Sequence, residues 1–394
     1  MLVELAKGIN WVGYVDWTVR EFHGYNTKDG STYNAYLVRD EKIALIDTVK
    51  GPYFQTLLAH INAFCSPAEV DYVVCNHAEP DHSSALPEIM KACTKAEIVC
   101  NAKCKDALAA HYDVTKWRFK VVAEGEVLSL GSRSLQFFNT PMVHWPESMA
   151  TYIPEDGILF SMDAFGQHFA SSERFDDELP LAVLLESAKM YYANIVMPFG
   201  KPVLAALAKL GKLKLNIVAP SHGIIWRSHF GVVAKYYMDW AETKATHKVV
   251  ILYCTMWNST RLMAEALYEG AASVAGVEVK LIDVNMTHDT ETITELMDAA
   301  VMAVGSATLN MGLMPAMART LTYVKGLRPL NKKGFAFGSY GWAEKGATLV
   351  DSILGEMAVE KLMPPLTIRF KPDAQALKTC YDAGVKMAEL AAKA

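Results

Sequence analysis

The sequence has 394 residues, of which 52% are hydrophobic and 21% are charged, with a formal net charge of −5 at pH 7. Single cores usually stop growing near about 250 to 300 residues, so this length predicts two domains. The mild acidic balance, without a long basic run, argues against nucleic acid or an anionic membrane as the main partner.

Targeting signals are also missing from the sequence pattern. No uninterrupted apolar stretch reaches the roughly 18 residues that a membrane span needs. The first residues, MLVELAKGINWVGYVDW, lack an apolar core followed by a small-residue cleavage site. We therefore expect no membrane partner and a cytoplasmic location.

The seven cysteines form no CxxC pair and lie scattered at positions 65, 75, 93, 100, 104, 254 and 380. An odd and scattered set does not indicate a disulfide framework. It also cannot build a rubredoxin-type or zinc-ribbon site. We interpret these residues as ordinary thiols in a reducing compartment.

Residues 1–246 alternate short strands with turns and a few helices, which predicts one α/β domain. The segment HSSALPEIMKAC (82–93) predicts a helix with Ser83 or Ser84 as its N-cap. The predicted strands, in chain order, are STYNAYLVRD, KIALIDTV, VDYVVCNH, EIVCN, FKVVAE, SLQFFNT, MATYIPEDGILFSMD and NIVAPSHG.

Residues 248–394 show a regular alternation of strands and helices. The first helix, STRLMAEALYEGAASVAG, is predicted to end at Gly276. The five predicted strands are KVVILYCT, VEVKLIDV, AAVMAVGSA, GFAFGSY and LTIRF. Such a pattern predicts a flavodoxin-like doubly wound parallel sheet. The charged segment 238–248 is the expected joint between the two domains.

The loop NHAEPDHSSALP (76–87) crowds four side chains that can bind metal: His77, Glu79, Asp81 and His82. Each is costly to bury without a partner, so packing alone does not explain the cluster. The first three alternate along a segment that we expect to be extended before the helix, so they could point the same way. Their spacing indicates a metal site.

A two-metal site needs more ligands than this loop supplies. Three further candidates each follow an apolar strand, where folds place functional loops. They are His144 in TPMVHWPES, Asp163 in ILFSMDAFG and His222 in IVAPSHGIIW.

The motif HxExDH, followed by single His, Asp and His residues at these intervals, resembles the metallo-β-lactamase fold. With Glu79 in place of the usual second histidine, and with a flavodoxin-like second half, the chain resembles the flavodiiron proteins (A-type flavoproteins of the rubredoxin:oxygen oxidoreductase type). The resemblance covers essentially the whole chain and includes FHGY, TYNAYLV, HWP and DAFGQ. It implies an αββα sandwich in the first domain.

The resemblance implies two irons bridged by a carboxylate and a solvent-derived oxo or hydroxo group. It assigns His77, Glu79 and His144 to the iron nearer the flavin, and Asp81, His82 and His222 to the other, with Asp163 as the bridge. Three carboxylates against two divalent ions leave the site near +1, and oxygen ligands suit iron. Zinc stays open, because affinity order alone favours it over ferrous iron.

The resemblance also indicates residues around the irons and in the flavin site. His23, Tyr25 and His168 are candidates for the pocket around the metals, where hydrogen-bond donors would steady a bound oxygen species. Trp342, at the tip of a flavin loop, would face the metal pocket of a partner chain in a head-to-tail homodimer, and a dimer of such dimers stays open.

Three loops of the second domain predict an FMN site. TMWNST (255–260) presents hydroxyls at a helix N-terminus without the lysine of a nucleoside triphosphate loop, which suits a phosphate monoester. The loops GSATLNMGLMP (305–315) and FGSYGW (337–342) follow the third and fourth strands, beside the switch point of the sheet. Gly305, Gly312, Gly338 and Gly341 are expected to permit close approach of the backbone to the flavin ring. Family members commonly have proline at the position of Ala307. The predicted FMN contacts are Thr255, Met256, Trp257, Asn258, Ser259, Thr260, Ser306, Ala307, Thr308, Asn310, Gly312, Ser339, Tyr340, Gly341 and Trp342.

These features predict an oxidoreductase that passes electrons from a separate donor such as rubredoxin through FMN to the irons. Two ferrous ions and reduced FMN hold four electrons, which matches the reduction of dioxygen to two waters. The same site could couple two nitric oxide molecules to nitrous oxide. The competing hypotheses are a metallo-β-lactamase-type metal hydrolase with a fused flavodoxin, and an electron-transfer or scaffold protein.

Overall fold

The structure is a computed structural model that describes residues 3–394, and these residues form two compact units. The first unit comprises the described residues up to Tyr191 together with Lys201–Met238, and the second comprises Tyr192–Gly200 and Asp239–Ala394. The sequence did not indicate that the short segment 192–200 packs with the second unit. Its Asn194 side chain is buried there, and its amide donates to the carbonyl of Thr290 over 3.3 Å.

The first unit is built on two large sheets, and two pairs of short strands, β3 with β6 and β4 with β5, lie outside them. A seven-stranded sheet has the order β1-β2-β7-β8-β9-β10-β11, and a five-stranded sheet has the order β12-β13-β14-β15-β16. The strands are β1 Val3–Ala6, β2 Ile9–Trp11, β3 Tyr14–Asp16, β4 Glu21–Phe22, β5 Tyr25–Asn26, β6 Ser31–Tyr33, β7 Tyr36–Arg39, β8 Ile43–Ile46, β9 Val70–Val74, β10 Glu97–Cys100, β11 Phe119–Val121, β12 Val127–Ser129, β13 Ser134–Asn139, β14 Met149–Ile153, β15 Ile158–Met162 and β16 Ile217–Pro220.

Alternation along the strands of the first sheet separates two cores. In β7, Leu37 lies in the core that also contains helix residues such as Leu57, whereas Tyr36 and Val38 lie in the core shared with Phe137 of the second sheet. Successive side chains of a strand point to opposite faces, so one apolar strand serves both layers. The helices in this part of the chain are α1 Phe54–Asn62, α2 Pro80–Ser83, α3 Leu86–Ala92, α4 Ala102–His111, α5 Leu181–Tyr191, α6 Gly200–Leu210 and α7 Phe230–Ala241.

The second unit contains the predicted parallel sheet in the order β18-β17-β19-β20, and the fifth position beside β20 is shared by β21 and β22. This is the doubly wound order that the sequence predicted. The strands are β17 Thr246–Cys254, β18 Glu278–Asp283, β19 Ala299–Ser306, β20 Lys333–Tyr340, β21 Glu360–Lys361 and β22 Leu366–Arg369. The helices are α8 Ser259–Ala272, α9 Asp289–Met297, α10 Pro315–Leu327, α11 Gly346–Glu356 and α12 Ala374–Ala391.

Glycines allow two helices of this unit to touch. A Cβ atom at Gly384 in α12 would lie 2.0 Å from the carbonyl oxygen of Leu267 in α8, and one at Gly270 would lie 2.0 Å from that of Tyr381. These distances are far below van der Waals contact, so the close approach of α8 and α12 requires glycine at both positions.

Three local predictions were wrong. The helix expected at 82–93 is two helices, α2 and α3, and neither predicted serine is an N-cap, because Glu79 precedes α2 and Ala85 precedes α3. Pro80 takes the first turn of α2, where its fixed φ and missing N–H are tolerated. The first helix of the second unit ends at Ala272 and not at Gly276.

Two predicted strands are also divided. STYNAYLVRD forms β6 and β7, which pair with different partners, and MATYIPEDGILFSMD forms the hairpin of β14 and β15. The Gly in the second segment, Gly157, has a φ of 68° in the connecting turn. Among residues 3–394, every helix is too short or too polar to cross a bilayer.

Candidate metal centre and flavin site

The seven predicted metal-binding side chains converge at the carboxyl ends of strands from both sheets of the first unit. His77 follows β9, Asp163 directly follows β15, and His222 lies two residues beyond β16. His144 lies in the loop between β13 and β14. The remaining three surround or belong to α2: Glu79 precedes it, and Asp81 and His82 lie within it. The prediction that Asp81 lies on an extended segment was therefore wrong.

These side chains form two groups whose ligand atoms lie within 4.8 Å of one another. The first group contains His77, Glu79, His144 and Asp163, and the second contains Asp81, His82 and His222. The set comprises four imidazoles and three carboxylates, and six of the seven residues are buried. Oxygen and imidazole ligands of this kind fit divalent first-row cations.

Asp163 faces both groups, one oxygen to each. Its Oδ2 lies 3.4 Å from His77 Nε2 and 3.1 Å from His144 Nε2. Its Oδ1 lies 3.2 Å from His82 Nε2 and 3.6 Å from His222 Nε2. This is the position expected of a carboxylate that bridges two cations.

The other carboxylates repeat these short contacts within each group. Glu79 Oε2 lies 3.1 Å from the Nε2 atoms of both His77 and His144. Asp81 Oδ2 lies 3.2 Å from His82 Nε2 and 3.1 Å from His222 Nε2.

Hydrogen bonds do not account for the contacts of Asp163. Among the described residues, both carboxylate oxygens of Asp163 and the Nε2 atom of His82 are buried without a hydrogen-bond partner, even though they lie close to each other. Ligand atoms about 2.1 Å from one cation and at right angles lie roughly 3.0 Å apart. The spacing and the unpaired atoms therefore fit cations held between these side chains.

The electrostatics of the cluster favour charged carboxylates. Burial alone would raise the pKa of Asp163, but the imidazoles of His82, His144 and His77 hold it well below its ordinary value. Burial opposes protonation of His144, yet the carboxylates of Asp163 and Glu79 raise the pKa of His144 to about 9. Without cations, the carboxylates would therefore hold protons on the histidines, and cations would replace those protons.

Residues behind the ligands fix their orientation. Asp47 accepts hydrogen bonds from the backbone N–H and the side-chain amide of Asn76, both over 2.8 Å, which anchors the start of the metal loop. Ser83 donates to the carbonyls of Ala78 and Glu79 over 2.6 and 2.9 Å. The loop thus depends on a buried polar network, which specifies its conformation when it is fully satisfied.

The three pocket residues expected from the resemblance surround the cluster. His23 Nε2 lies 2.9 Å from Glu79 Oε1, and its side chain is 59% exposed. The rings of Tyr25 and His168 stack with centroids 5.8 Å apart, and His168 lies 4.9 Å from His222. Burial and the neighbouring imidazole of His222 lower the pKa of His168 well below its ordinary value, so this ring is neutral.

Sequence reasoning missed two residues next to the cluster. Tyr191, the last residue of α5, is buried with its ring 5.0 Å from that of His168. Glu147 is buried against His77, with 2.7 Å between its Oε1 and His77 Nδ1. Nothing in the pattern singles out Tyr191, whereas Glu147 could have been suspected because it lies three residues after His144.

The second unit has a pocket of about 820 Å³ at the carboxyl ends of its central strands. This volume suits a drug-sized or cofactor-sized ligand. Its lining includes most of the predicted FMN contacts: Met256, Trp257, Asn258, Ser259, Ala307, Thr308, Asn310, Ser339, Tyr340, Gly341 and Trp342. The sequence missed Leu262, Met311, Ala343, Phe370 and Lys371. Phe370 and Lys371 follow β22, and the end of this strand lies beside the pocket because β22 pairs with β20 in the sheet.

Four predicted contacts do not line this pocket: Thr255, Thr260, Ser306 and Gly312. Two of them make hydrogen bonds that hold the loops around it. The Thr260 hydroxyl lies 2.8 Å from that of Ser339, and the Ser306 hydroxyl accepts from the N–H of Met314 over 3.1 Å. The first contact joins the loop 255–260 to the loop 337–342, and the second lies within the loop 305–315.

The start of α8 fits a phosphate. Asn258, the N-cap, has a φ of 64°, and no side chain caps the first turn, so its N–H groups stay open to a ligand. The hydroxyl of Thr255 is buried without a hydrogen-bond partner in the described part of the chain. Trp257 and Trp342 are 84% and 90% exposed beside this pocket. The residues present therefore fit the phosphate and ring of FMN.

Two of the glycines expected near the flavin ring pack closely within the sheet. A Cβ atom at Gly305 would lie 2.3 Å from ring carbons of Phe337, and one at Gly338 would lie 2.1 Å from the carbonyl oxygen of Ser306. Both glycines thus permit packing within the sheet, where neighbouring strands β19 and β20 run side by side. This packing is enough to explain why glycine stands at both positions. That they also make room for the flavin ring stays a prediction.

Comparison with known protein families identifies the class of each unit. Residues 32–223 match the family model described as ODP family beta lactamase, and residues 251–384 match the flavodoxin family model. The chain thus combines a metallo-β-lactamase-like domain with a flavodoxin-like domain, as predicted from the sequence.

Relatives that match almost the whole chain identify the protein family. The chain is 42% identical to the nitric oxide reductase of Moorella thermoacetica over 391 residues, covering 98% of each chain. It is 40% identical to the rubredoxin-oxygen oxidoreductase of Megalodesulfovibrio gigas over 384 residues, covering 95% of each. The crystal structure of the flavodiiron protein from Giardia intestinalis matches with a TM-score of 0.97 at 35% identity, covering 100% of this chain and 97% of that one. This chain belongs to the flavodiiron protein family.

Proposed function

We propose that this chain is a flavodiiron oxidoreductase that passes electrons from a separate donor through FMN to a diiron centre. There it reduces dioxygen to water, nitric oxide to nitrous oxide, or both. The observation that carries the proposal is the placement of Asp163, which presents one oxygen to each of two buried ligand groups. Relatives named for both reactions, at about the same identity, support the two substrates equally.

The residues suggest how the site would work. Two irons would supply electrons in single steps, held by the predicted ligands His77, Glu79, Asp81, His82, His144, Asp163 and His222. His168 is neutral and its buried Nε2 has no hydrogen-bond partner among the described residues, so it can bond to a small ligand there. His23 combines solvent exposure with a contact to Glu79, which suits it to carry protons from solvent.

Anaerobic stopped-flow mixing of the fully reduced protein tests the reaction directly. One syringe holds protein with both FMN and metal reduced, and the other holds dioxygen or, separately, nitric oxide. Reoxidation of four electrons per dioxygen, without released peroxide, supports oxygen reduction. Formation of nitrous oxide supports nitric oxide reduction. No rapid reoxidation with either gas contradicts the proposal.

Metal and flavin analysis tests the cofactors. We expect about two irons and one FMN per chain. Stoichiometric zinc together with full reductase activity would contradict the diiron centre. A chain that lacks metal altogether would support the electron-transfer or scaffold hypothesis.

We further propose a rubredoxin-like electron donor. The sequence has no CxxC pair with which to build its own rubredoxin site and no dinucleotide fingerprint. Reduced rubredoxin should therefore reduce the FMN rapidly, and NADH alone should not. Rapid reduction by NADH without an added protein would contradict this part of the proposal.

We propose a head-to-tail homodimer as the active assembly, in which Trp342 of one chain faces the metal pocket of the other. The 90% exposure of Trp342 beside the flavin pocket supports an interface at this side chain. A two-fold pair is the commonest closed assembly and would satisfy both sites at once. A mixture of an iron-deficient His82→Ala chain and a chain with a disrupted TMWNST loop should regain activity after chain exchange. Full flavin-to-iron electron transfer in a monomer would contradict the dimer.

Two further expectations stay as proposals. The domain limits 1–246 and 248–394 predict that each part folds when expressed alone, which circular dichroism can test. A cytoplasmic location is supported by seven unpaired cysteines, which suit a reducing compartment. Cell fractionation would test the location.

A further inference from the structure

The carboxylate of Glu147 is buried directly behind one metal-binding histidine. Its side chain is 4% exposed, and its Oε1 lies 2.7 Å from His77 Nδ1 and 3.2 Å from the backbone nitrogen of Ala78. An ionised carboxylate only accepts hydrogen bonds, so both nitrogens donate to it. His77 then carries its proton on Nδ1 and presents Nε2, without a proton, to the first ligand group.

The loop that carries Glu147 is held firmly. The carbonyl of Glu147 accepts from the side-chain amide of Asn101 over 2.7 Å, and the Thr140 N–H donates to the carbonyl of Ser148 over 2.8 Å. The ring of Trp145 stands edge-on to that of His77, with centroids 5.0 Å apart and an interplanar angle of 89°. The loop therefore fixes the His77 ring from two sides, in addition to supplying His144.

Among the described residues, neither histidine of the second ligand group has a carboxylate hydrogen-bonded to its Nδ1 atom. His222 Nδ1 donates to the backbone carbonyl of Thr32 over 2.6 Å, which is a neutral acceptor. His82 Nδ1 is buried and has no hydrogen-bond partner within residues 3–394. The two groups thus resemble each other in their ligands but differ in what stands behind them.

A carboxylate behind a ligating imidazole has a known physical effect. The negative charge makes the imidazole more basic and holds its orientation, and removal of such a partner typically lowers metal affinity about 10- to 100-fold. A more basic ligand also stabilises the more highly charged state of a cation, because the extra electron density offsets the extra charge. A backbone carbonyl carries only a partial charge and has a smaller effect.

We propose that Glu147 is a positioning residue that makes the two metal positions unequal, so that the first group binds its cation more tightly and favours the higher oxidation state there. The inference rests on the two-metal centre of the proposed function and concerns how that centre is divided. It implies that a half-reduced centre keeps its oxidised ion in the group of His77, and that chelators first remove the ion held by His82 and His222.

The test uses cobalt(II), which reports its coordination by its visible absorption. The metal-depleted full chain is titrated with cobalt(II) as wild type, as Glu147→Gln and as Glu147→Ala. Glutamine is nearly isosteric and keeps an oxygen acceptor for His77, so it removes the charge and leaves the shape. We expect Glu147→Gln to weaken one of two binding steps about 10-fold, and Glu147→Ala about 100-fold, with the other step unchanged.

Glu124→Gln is the matched control. Glu124 also accepts a backbone hydrogen bond, from Asn139 over 2.7 Å, and pairs with Lys209, but it is half exposed and touches no metal ligand. Its neutralisation should leave both cobalt steps unchanged. A shift as large as that of Glu147→Gln would mean that any lost carboxylate in this region weakens binding.

A second measurement keeps the inference testable if the variant unfolds in the metal-free state. If metal-depleted Glu147→Gln does not stay folded, the iron-loaded variant, enriched in ⁵⁷Fe, is examined by Mössbauer spectroscopy during stepwise reduction. We expect the signal of one iron to change and that iron to be reduced more easily than in wild type. Equal effects on both irons, or no effect on either, would overturn the inference.

The outcomes separate this inference from the proposed function. Wild-type protein that binds fewer than two metals contradicts the diiron centre itself. Two metals with equal steps, which Glu147→Gln leaves equal, contradict only the division of the centre.

Discussion

The metal cluster and the flavin pocket show two different ways to build a site. In the metal cluster almost every functional atom belongs to a buried charged or imidazole side chain, such as Asp163 at 1% exposure or His77 at 0%. In the flavin pocket the hydroxyl and amide groups lie on loops at strand ends, and its aromatic side chains are largely exposed. A buried charge is costly without a partner, so the first site is defined by side chains that need each other. The second is defined by backbone geometry and shape.

This difference predicts different responses to substitution. Removal of one side chain from the metal cluster leaves another buried group without its partner, so we expect large and local effects on metal binding. Substitutions in the flavin unit should act through the charge near the phosphate site or through the close packing of glycines. The four predictions below test this contrast, from the largest expected effect to the smallest.

The largest effect is expected for Asp163→Ala. This change removes the carboxylate that faces both groups, and two cations at close range would then repel each other with less compensation. We expect loss of at least one metal per chain and a fall in turnover to below about 1%, since even an outer partner is worth roughly 10- to 100-fold. Elemental analysis, flavin absorbance and an oxygen electrode measure this. FMN content should be unchanged.

Asp156→Ala is the control for Asp163→Ala. Asp156 pairs with Arg133 in the same unit, with 2.6 Å between Asp156 Oδ2 and Arg133 Nε, away from the metal ligands. It should keep full metal content and turnover. Normal turnover in Asp163→Ala would remove this residue from the site.

The next effect is expected for Ser259→Glu in the flavin unit. Ser259 begins α8, where open N–H groups favour a phosphate, and a carboxylate there would repel the phosphate and compete for its donors. We expect the affinity for FMN to fall about 100-fold or more, given roughly 1.4 kcal/mol per factor of ten, while the metal content is retained. Fluorescence titration of the flavin-free protein measures the change. Thr379→Glu, which adds the same charge on the exposed face of α12, should bind FMN normally.

A medium effect is expected for Gly384→Ala. The added methyl group would collide with the carbonyl of Leu267, so α8 and α12 must move apart. We expect the flavin unit to lose about 1–3 kcal/mol of unfolding free energy, the usual cost of an overpacked core. Chemical denaturation followed by flavin fluorescence measures this.

Gly326→Ala provides the matched comparison for Gly384→Ala. Gly326 lies in α10 with nothing near its would-be Cβ atom, so alanine there should be neutral or should stabilise by up to about 1 kcal/mol. Equal destabilisation by both changes would show that close helix packing is not the cause.

The smallest effect concerns protons in the metal cluster. Neighbouring carboxylates raise the pKa of His144 to about 9, so this ring is protonated in metal-free protein at pH 7, and the pKa values of His77 and His82 are also raised. A cation must displace the proton of His144, so metal uptake at pH 7 should release it. The release should fall, and the apparent affinity rise, as the pH increases through about 9. Calorimetry in buffers of different ionisation enthalpy measures this, and uptake without proton release at pH 7 would contradict it.

The sequence predicted the chemistry of both sites better than their local structure. Four side chains of the metal loop are costly to bury together unless they bind a ligand: His77, Glu79, Asp81 and His82. Their close spacing was therefore sufficient to predict a metal site. The same stretch was wrongly predicted to be extended up to a helix that begins at residue 82. The structure instead has two short helices, α2 beginning at Pro80 and α3 beginning after Ala85. Contacts between side chains that are far apart in the sequence decide where such helices begin and end, and helix propensity carries no information about these contacts.

What the sequence determined by itself was an α/β first domain, the doubly wound order of the second half and the metal-binding residue types, because these follow from periodicity and from donor chemistry. The metallo-β-lactamase-like fold of the first domain was implied by the resemblance of its motifs. The resemblance implied the two ligand groups and the bridging position of Asp163, and the tertiary structure supplied the distances between these side chains. Only the tertiary structure decided that Glu147 and Tyr191 stand beside them. It also decided that Gly305 and Gly338 make room for strand packing. Each of these facts is a distance between residues far apart in the chain, and such distances arise when strand ends meet in the folded sheets.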